Sequence, residues 1–167
     1  MSNDTLTAAR AHLERVAEEK MEDLFRAAPM SREFHHGCWL DRSYYARHLV
    51  ETVLRIRLNN EVDAYGLYKI GSKDNKLAAV LAQYLAEEYG HEEMFVADIE
   101  RFGLSKEDVD NTDAFPATKE LIGFLYLAIK QDGPLATMIW NWFVEWYSDR
   151  YNMILPRLRR TNGGETS

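Results

Sequence analysis

The stretch Leu77 to Phe102, LAAVLAQYLAEEYGHEEMFVADIERF, decides the fold class of this chain. Its apolar residues recur at steps of three or four and at multiples of these, which is the spacing of one α-helical face. Ser72 precedes the stretch as an N-cap candidate, and Gly103 follows it where a helix-ending glycine belongs. The pattern therefore predicts one long helix between Ser72 and Gly103.

The rest of the sequence has the same helical character. The first predicted segments are a helix that ends before Pro29, a short turn or one helical turn over 31–40, and a helix from Asp41 that weakens around Gly66 and closes at Gly71. After the stretch quoted above follow a short turn capped by Ser105 with Asp108, a helix from Pro116 to Gly133, and a last helix from Pro134 that Pro156 kinks or ends. No segment alternates with period two as a strand would. The sequence predicts an all-α bundle of about six helices.

Composition restricts the class of protein. A chain of 167 residues suits one domain, predicted over 1–160 with a disordered tail over 161–167. The net charge of −7 argues against nucleic acid, which needs a basic face. The lone Cys38 and the absence of a signal-peptide pattern predict a cytoplasmic protein, and no apolar run approaches the roughly 20 residues of a membrane span.

The strongest chemical signal is a Glu88 and His91 pair inside the apolar stripe. Continuing the stripe from Tyr84 in steps of four and three reaches Glu88, then His91, then Phe95. Buried polar groups must be paired or bind a metal, and side chains three apart share a helix face. The pair could therefore hold a cation, or the two side chains could hydrogen-bond to each other or to neighbouring tyrosines. Gly90 is costly inside a helix, by about 1 kcal/mol against Ala.

Carboxylates also interrupt the apolar row of the last helix. Glu145 follows Trp142 by three residues, and Asp149 lies one turn further. Facing helices that present inward carboxylate or histidine side chains are how bundle proteins build non-haem iron sites. The alternative pairs Glu145 with a basic residue at the surface.

The run from Glu87 to Phe95, followed by Asp98 and by the sequence Phe102 to Ser105, resembles the first ligand helix of the haem-oxygenase-like diiron oxidases. The segment from Arg32 through Trp39 to Tyr45 is similar to the entry segment of that superfold, which thiaminase-II and pyrroloquinoline-quinone synthase proteins share. The resemblance covers about Ser31 to Pro156. It implies a haem-oxygenase-like helical bundle.

The resemblance also implies a ligand set. In that family a Glu and a nearby His on one helix, a Glu on a second, and a His-x-x-x-Asp/Glu-x-x-His set on a third bind two irons. Glu88 and His91 match the first pair, and Glu145 matches the second position. The third set has no match, because no histidine follows His91.

Three explanations follow: a degenerate relative, a site completed by a partner chain or a homo-oligomer, or a smaller metal site. His48, Glu51 and Asp149 are additional ligand candidates, although a surface hydrogen-bonding pair is the favoured reading of His48 with Glu51. His35 and His36 are predicted to lie in a turn as solvent or entrance residues, and His12 on the surface.

The function that this resemblance implies is oxidation by ferrous iron, mononuclear or as an incomplete diiron centre, with O2 as co-substrate. The substrate would be a small amino-acid, amine or fatty-acid-like molecule in biosynthesis. Tyr84, Trp142 and Trp146 are pocket candidates, although aromatic rows more often belong to a core. The alternative is a non-catalytic partner or ligand-binding protein with a degenerate metal site.

Overall fold

The computed structural model of the chain describes residues 3–37 and 41–151, and in these residues every regular element is helical. The elements are α1 (Asn3–Ala27), α2 (Pro29–His35), α3 (Arg42–Ile70), a 3-10 turn (Gly71–Lys73), α4 (Asn75–Glu88), α5 (Glu92–Glu100), α6 (Lys106–Asp110), α7 (Pro116–Asp132) and α8 (Leu135–Tyr151). The predicted all-α class is confirmed. None of these helices has both the length and the apolar character that a membrane crossing needs. The predicted kink at Pro156 and the tail over 161–167 lie outside the described residues.

Local capping chemistry sets most helix ends where the sequence predicts them. Asp41 caps α3 by accepting a 2.7 Å hydrogen bond from the backbone N–H of Tyr44. Gly133 ends α7 at a φ of 85°, a conformation that favours glycine. Ser105 and Asp108 form a reciprocal capping box at the start of α6.

The single helix predicted between Ser72 and Gly103 is wrong. The chain leaves the helix after Glu88 and begins α5 at Glu92, and Gly90 lies between them at a φ of 96°. Asp74, not Ser72, is the N-cap of α4. Gly90 therefore does not lie inside a helix, where a glycine would be costly. It occupies a conformation that other residues rarely adopt. This break and the short helices α2 and α6 raise the number of helices above six.

The chain divides into two compact units, residues 41–142 and residues 1–40 with 143–167. In the first unit the long helix α3 packs against α4, α5 and α7. Its core includes Val62 from α3 and three residues of α7, which are Ile122, Leu125 and Ile129. The predicted weakening of α3 at Gly66 is wrong, because the helix runs on to Ile70 with Gly66 buried against Leu81, Pro134 and Thr137.

The second unit is built on aromatic contacts. His35, the last residue of α2, is half-buried, and its Nδ1–H donates a 2.6 Å hydrogen bond to the Ser31 carbonyl. Its ring lies 5.4 Å from Tyr147 and 5.5 Å from Phe25. The prediction that His35 is a solvent or entrance residue is wrong, because aromatic side chains enclose it. His36 is exposed.

Candidate functional site

The main candidate site centres on a buried carboxylate that the sequence analysis does not single out. Asp63 of α3 is fully buried. Its Oδ1 accepts a 2.5 Å hydrogen bond from the Thr137 hydroxyl, and its Oδ2 accepts bonds of 3.0 Å from the side-chain amides of Asn59 and Asn141. All three donors are uncharged.

Helical periodicity brings these four residues together. Asn59 and Asp63 lie one turn apart on α3, and Thr137 and Asn141 lie one turn apart on α8. The Asn59 amide also donates a 3.0 Å hydrogen bond to Oδ1 of Asn141. The two helices are thus joined by a closed polar cluster, the Asp63 cluster, made of these four side chains.

Among the described residues, no cationic side chain contacts the Asp63 carboxylate. Burial raises its pKa, the hydrogen bonds from Thr137 and Asn141 lower it, and the charge of Glu88 raises it again. A buried charge without an opposite partner costs several kcal/mol, so such a group holds a proton or binds a cation. A carboxylate has about four acceptor positions, and three are used here. One position on Oδ1 therefore remains for a ligand.

Two buried amide oxygens adjoin this cluster. Oδ1 of Asn59 and Oδ1 of Asn60 have no hydrogen-bond partner among the described residues, and both side chains are more than nine-tenths buried. Buried polar atoms in folded proteins are nearly always satisfied by protein or ordered water. These oxygens are suited to accept a hydrogen bond from a bound water or ligand.

Glu88 and His91 lie on either side of the break between α4 and α5. His91 Nδ1 is 3.3 Å from Glu88 Oε2, and the exposed fractions of the two side chains are 47% and 16%. The Glu88 carboxylate is therefore largely buried, whereas the expectation of a core position is wrong for His91. The turn at Gly90 moves His91 off the stripe. The contact agrees with the alternative in which Glu88 and His91 hydrogen-bond to each other.

The remaining ligand candidates are Glu145, Asp149, Glu51 and His48. Glu145 and Asp149 are exposed on the part of α8 that belongs to the other compact unit. Glu51 accepts hydrogen bonds from the Phe115 N–H at 3.0 Å and from the Thr118 hydroxyl at 2.5 Å, so it caps α7. The His48 ring stacks on Tyr45 with the ring centroids 6.5 Å apart.

The aromatic pocket candidates are distributed over both units. Tyr84 and Trp142 are half-buried in the unit formed by residues 41–142. Trp146 is buried in the other unit, where its ring stacks on Phe143 at 5.8 Å and the Arg150 guanidinium lies 4.5 Å above it. Trp146 therefore contributes to an aromatic core, the reading that its row favours.

Within residues 3–37 and 41–151, no three His, Cys, Asp or Glu side chains lie close enough together to hold a metal ion. Glu88 and His91 form a pair, and the charge of Glu88 contributes to the raised pKa of Asp63. The donor types suit iron, but their arrangement does not assemble a complete set. Metal binding by Glu88, His91 and Glu145 stays a prediction.

The Asp63 cluster had a signal in the sequence. Asn59, Asn60 and Asp63 interrupt the apolar face of α3, and Thr137 and Asn141 interrupt α8 at a spacing of four. Polar residues on the inward faces of two helices predict a shared buried network, since each needs a partner.

Comparison with known proteins gives one family. The sequence profile of the family described as iron-containing redox enzyme matches residues 55–167. Neither the curated proteins nor the solved structures contain a significant match to the chain. The matched range includes the Asp63 cluster, Glu88, His91 and Glu145.

Proposed function

Because the chain belongs to the family of iron-containing redox enzymes, we propose that it is an O2-dependent non-haem iron oxidase or a shortened relative. Its substrate would be a small amino-acid, amine or fatty-acid-like molecule of specialised metabolism. The observation that carries this proposal is the fully buried Asp63 carboxylate, which has only uncharged donors and senses the charge of Glu88. A cation at this position would remove the cost of burying that charge.

The ligands that we propose are Asp63, Glu88 and His91. Two carboxylates and one imidazole are donor types that iron takes, but the typical facial triad of mononuclear non-haem iron has two histidines and one carboxylate, so this set differs from it by one ligand. Because no three such groups converge among the described residues, metal binding by Asp63, Glu88 and His91 requires a rearrangement at the break between α4 and α5. Glu145 is a further ligand candidate that rests on the family resemblance. Bound ferrous iron would supply the activation of O2.

The chain's own residues have two roles in this proposal. Thr137, Asn59 and Asn141 fix the orientation of the Asp63 carboxylate, as hydrogen-bonded neighbours of metal ligands do. Without a cation, the raised pKa favours a proton on Asp63, and a metal ion would displace that proton. The unpaired amide oxygen of Asn60 could orient a water or a polar substrate group beside the carboxylate.

Anaerobic titration of ferrous iron into the purified chain tests the proposal. We expect about one tightly bound iron per chain, because three protein donors suit a mononuclear site with open positions. Asp63→Asn, Glu88→Gln and His91→Gln should each weaken binding. His12→Gln is the matched control, since His12 is exposed and contacts Arg15 at 2.9 Å. Glu145→Gln decides whether Glu145 is a ligand.

Oligomer fractions separate the remaining alternatives. Iron bound only by an oligomer would indicate that a second copy completes the site. Iron bound by no fraction would contradict the oxidase proposal and favour the non-catalytic relative. Oxygen consumption by the iron-loaded protein, measured with amine, amino-acid and fatty-acid substrates, then tests the reaction class.

A further inference from the structure

A cavity lies at the start of α3. It is an open pocket of about 430 Å³ between the first turns of α3 and the segment 102–112. Its apolar wall is formed by Ala46, Val50, Phe102 and Leu104, and Arg42 and Ser43 are among its polar lining residues. The volume lies in the range of small-molecule sites, which typically combine apolar walls with a few polar groups.

Arg42 is the cation that this pocket offers to a ligand. Its guanidinium lies 4.9 Å above the Phe102 ring and donates one hydrogen bond of 3.2 Å to the Arg101 carbonyl. A guanidinium carries five N–H donors in a planar fork that matches a carboxylate. Most of these donors have no acceptor among the described residues. The stacking on Phe102 holds the group in place at the pocket.

The other charges around the pocket limit the ligand to a single negative charge. Arg47 also lines it, but Arg47 Nη1 lies 2.9 Å from Glu51 Oε2, and Nη2 donates to the Asp113 carbonyl. Asp108 lines it as well, and the hydrogen bonds from Ser105 lower the pKa of that carboxyl, so it remains ionised. One available cation beside the ionised Asp108 disfavours a dianion such as a phosphate monoester.

We propose that this pocket binds an organic monocarboxylate with an apolar body. The carboxylate pairs with the Arg42 guanidinium and accepts from the Ser43 hydroxyl, and the apolar body packs on Phe102, Leu104 and Val50. The contact combines a charge-assisted hydrogen bond with apolar burial, which together give specificity and affinity.

This site is separate from the proposed iron ligands. Arg42 and Asp63 belong to the same helix and are 21 residues apart along it. At 1.5 Å per residue this separation is about 31 Å along the axis. A small ligand cannot reach both Arg42 and Asp63, so the pocket is an ancillary site that is separate from the proposed iron ligand Asp63. Its occupancy should not depend on iron.

Calorimetric titration of the metal-free chain with octanoate tests the proposal. We expect saturable binding with one site per chain and a dissociation constant below about 1 mM, the range of a weak small-ligand site. Octanamide, which has the same shape without the charge, should bind at least about tenfold more weakly, since one charge-assisted pair is worth that factor. Equal affinity for octanoate and octanamide would overturn the proposal.

Variants locate the site. Arg42→Met keeps the apolar stem and should lower octanoate affinity about tenfold or more. Arg57→Gln is the matched control, because Arg57 is paired with Asp110 at 2.7 Å and does not line the pocket. Asp63→Asn should leave octanoate binding unchanged, which distinguishes this site from the iron site. Absence of saturable binding, or equal loss in Arg57→Gln, would contradict the assignment.

Discussion

The Thr137 hydroxyl donates a 2.5 Å hydrogen bond to Oδ1 of Asp63, and both side chains are completely buried. The described residues give this oxygen no second donor. The bond connects α8 to α3. Asp63 is the only fully buried carboxylate among the described residues. We therefore expect the loss of this hydrogen bond to lower the stability of the protein.

We expect Thr137→Val to destabilise the protein by about 1–3 kcal/mol, because it leaves a buried carboxylate oxygen without a donor while preserving side-chain shape. Urea unfolding followed by circular dichroism measures the difference. Thr137→Ser is the control, since it keeps the hydroxyl and loses one methyl group, worth about 1 kcal/mol. A Val variant as stable as the wild type would show that the bond contributes nothing.

The half-buried His35 makes stability depend on pH. Burial lowers its pKa from 6.5, the hydrogen bond to Ser31 raises it, and the nearby His36 lowers it. Because the folded pKa lies below the unfolded value, the unfolded chain takes up the proton first. The contribution of His35 is therefore present above pH 6.5 and is lost as the pH falls through the folded pKa.

Urea unfolding at a series of pH values from neutral downward tests this dependence on the metal-free chain. The wild type should lose stability as the pH falls, and His35→Gln should lose less over the same range. His12→Gln, at an exposed position, should follow the wild type. If the slopes of the wild type and His35→Gln coincide, His35 does not cause the pH dependence.

Gly90 and Gly123 should respond in opposite directions to the same substitution. Gly90 has a φ of 96°, so Gly90→Ala should cost about 1–2 kcal/mol of stability from backbone strain, as left-handed conformations do. Gly123 lies within α7 with nothing within 4 Å of an added Cβ, so Gly123→Ala should stabilise by about 0.5–1 kcal/mol. Thermal unfolding of both variants gives the comparison. A stabilising Gly90→Ala would indicate a continuous helix after all.

Glu51 should contribute to stability through the first turn of α7. Glu51→Ala removes the acceptor of the Phe115 N–H and the ion pair with Arg47, and we expect a cost of about 2 kcal/mol, the upper range for a helix cap. Glu51→Gln keeps one oxygen and should cost about half of that. Hydrogen exchange of the α7 amides locates the effect. A uniform loss of protection in all helices would instead indicate a global role.

The sequence predicts helix ends well where the determinants are local. Asp41 and Gly133 act within one helical turn of their own helix, so a short window contains the evidence. The apolar spacing does not predict the break at Gly90. Tyr84 and Phe95 are 11 residues apart, which is close to three turns, so the apolar spacing continues unchanged across an interruption.

The Asp63 cluster could not be assembled from sequence spacing alone. The donors Thr137 and Asn141 lie 74 and 78 positions after Asp63, and only the packing of α8 on α3 brings them together. The contact between Glu88 and His91 could be predicted from the sequence, because the two residues are only three positions apart. The family resemblance supplied the iron chemistry. The spacing marked Asp63 as a polar residue on an apolar helix face, and only the fold shows which residues of α8 bind it.

The hydrogen bond between Glu51 and the start of α7 also has a consequence for the synthesis of the chain on the ribosome. The acceptor lies 64 positions before the Phe115 N–H that it receives. The ribosome therefore synthesises Glu51 before Phe115, and we expect the acceptor to be available when the first turn of α7 forms. If Glu51 followed α7 in the sequence, the Phe115 N–H would lack this acceptor until Glu51 was synthesised.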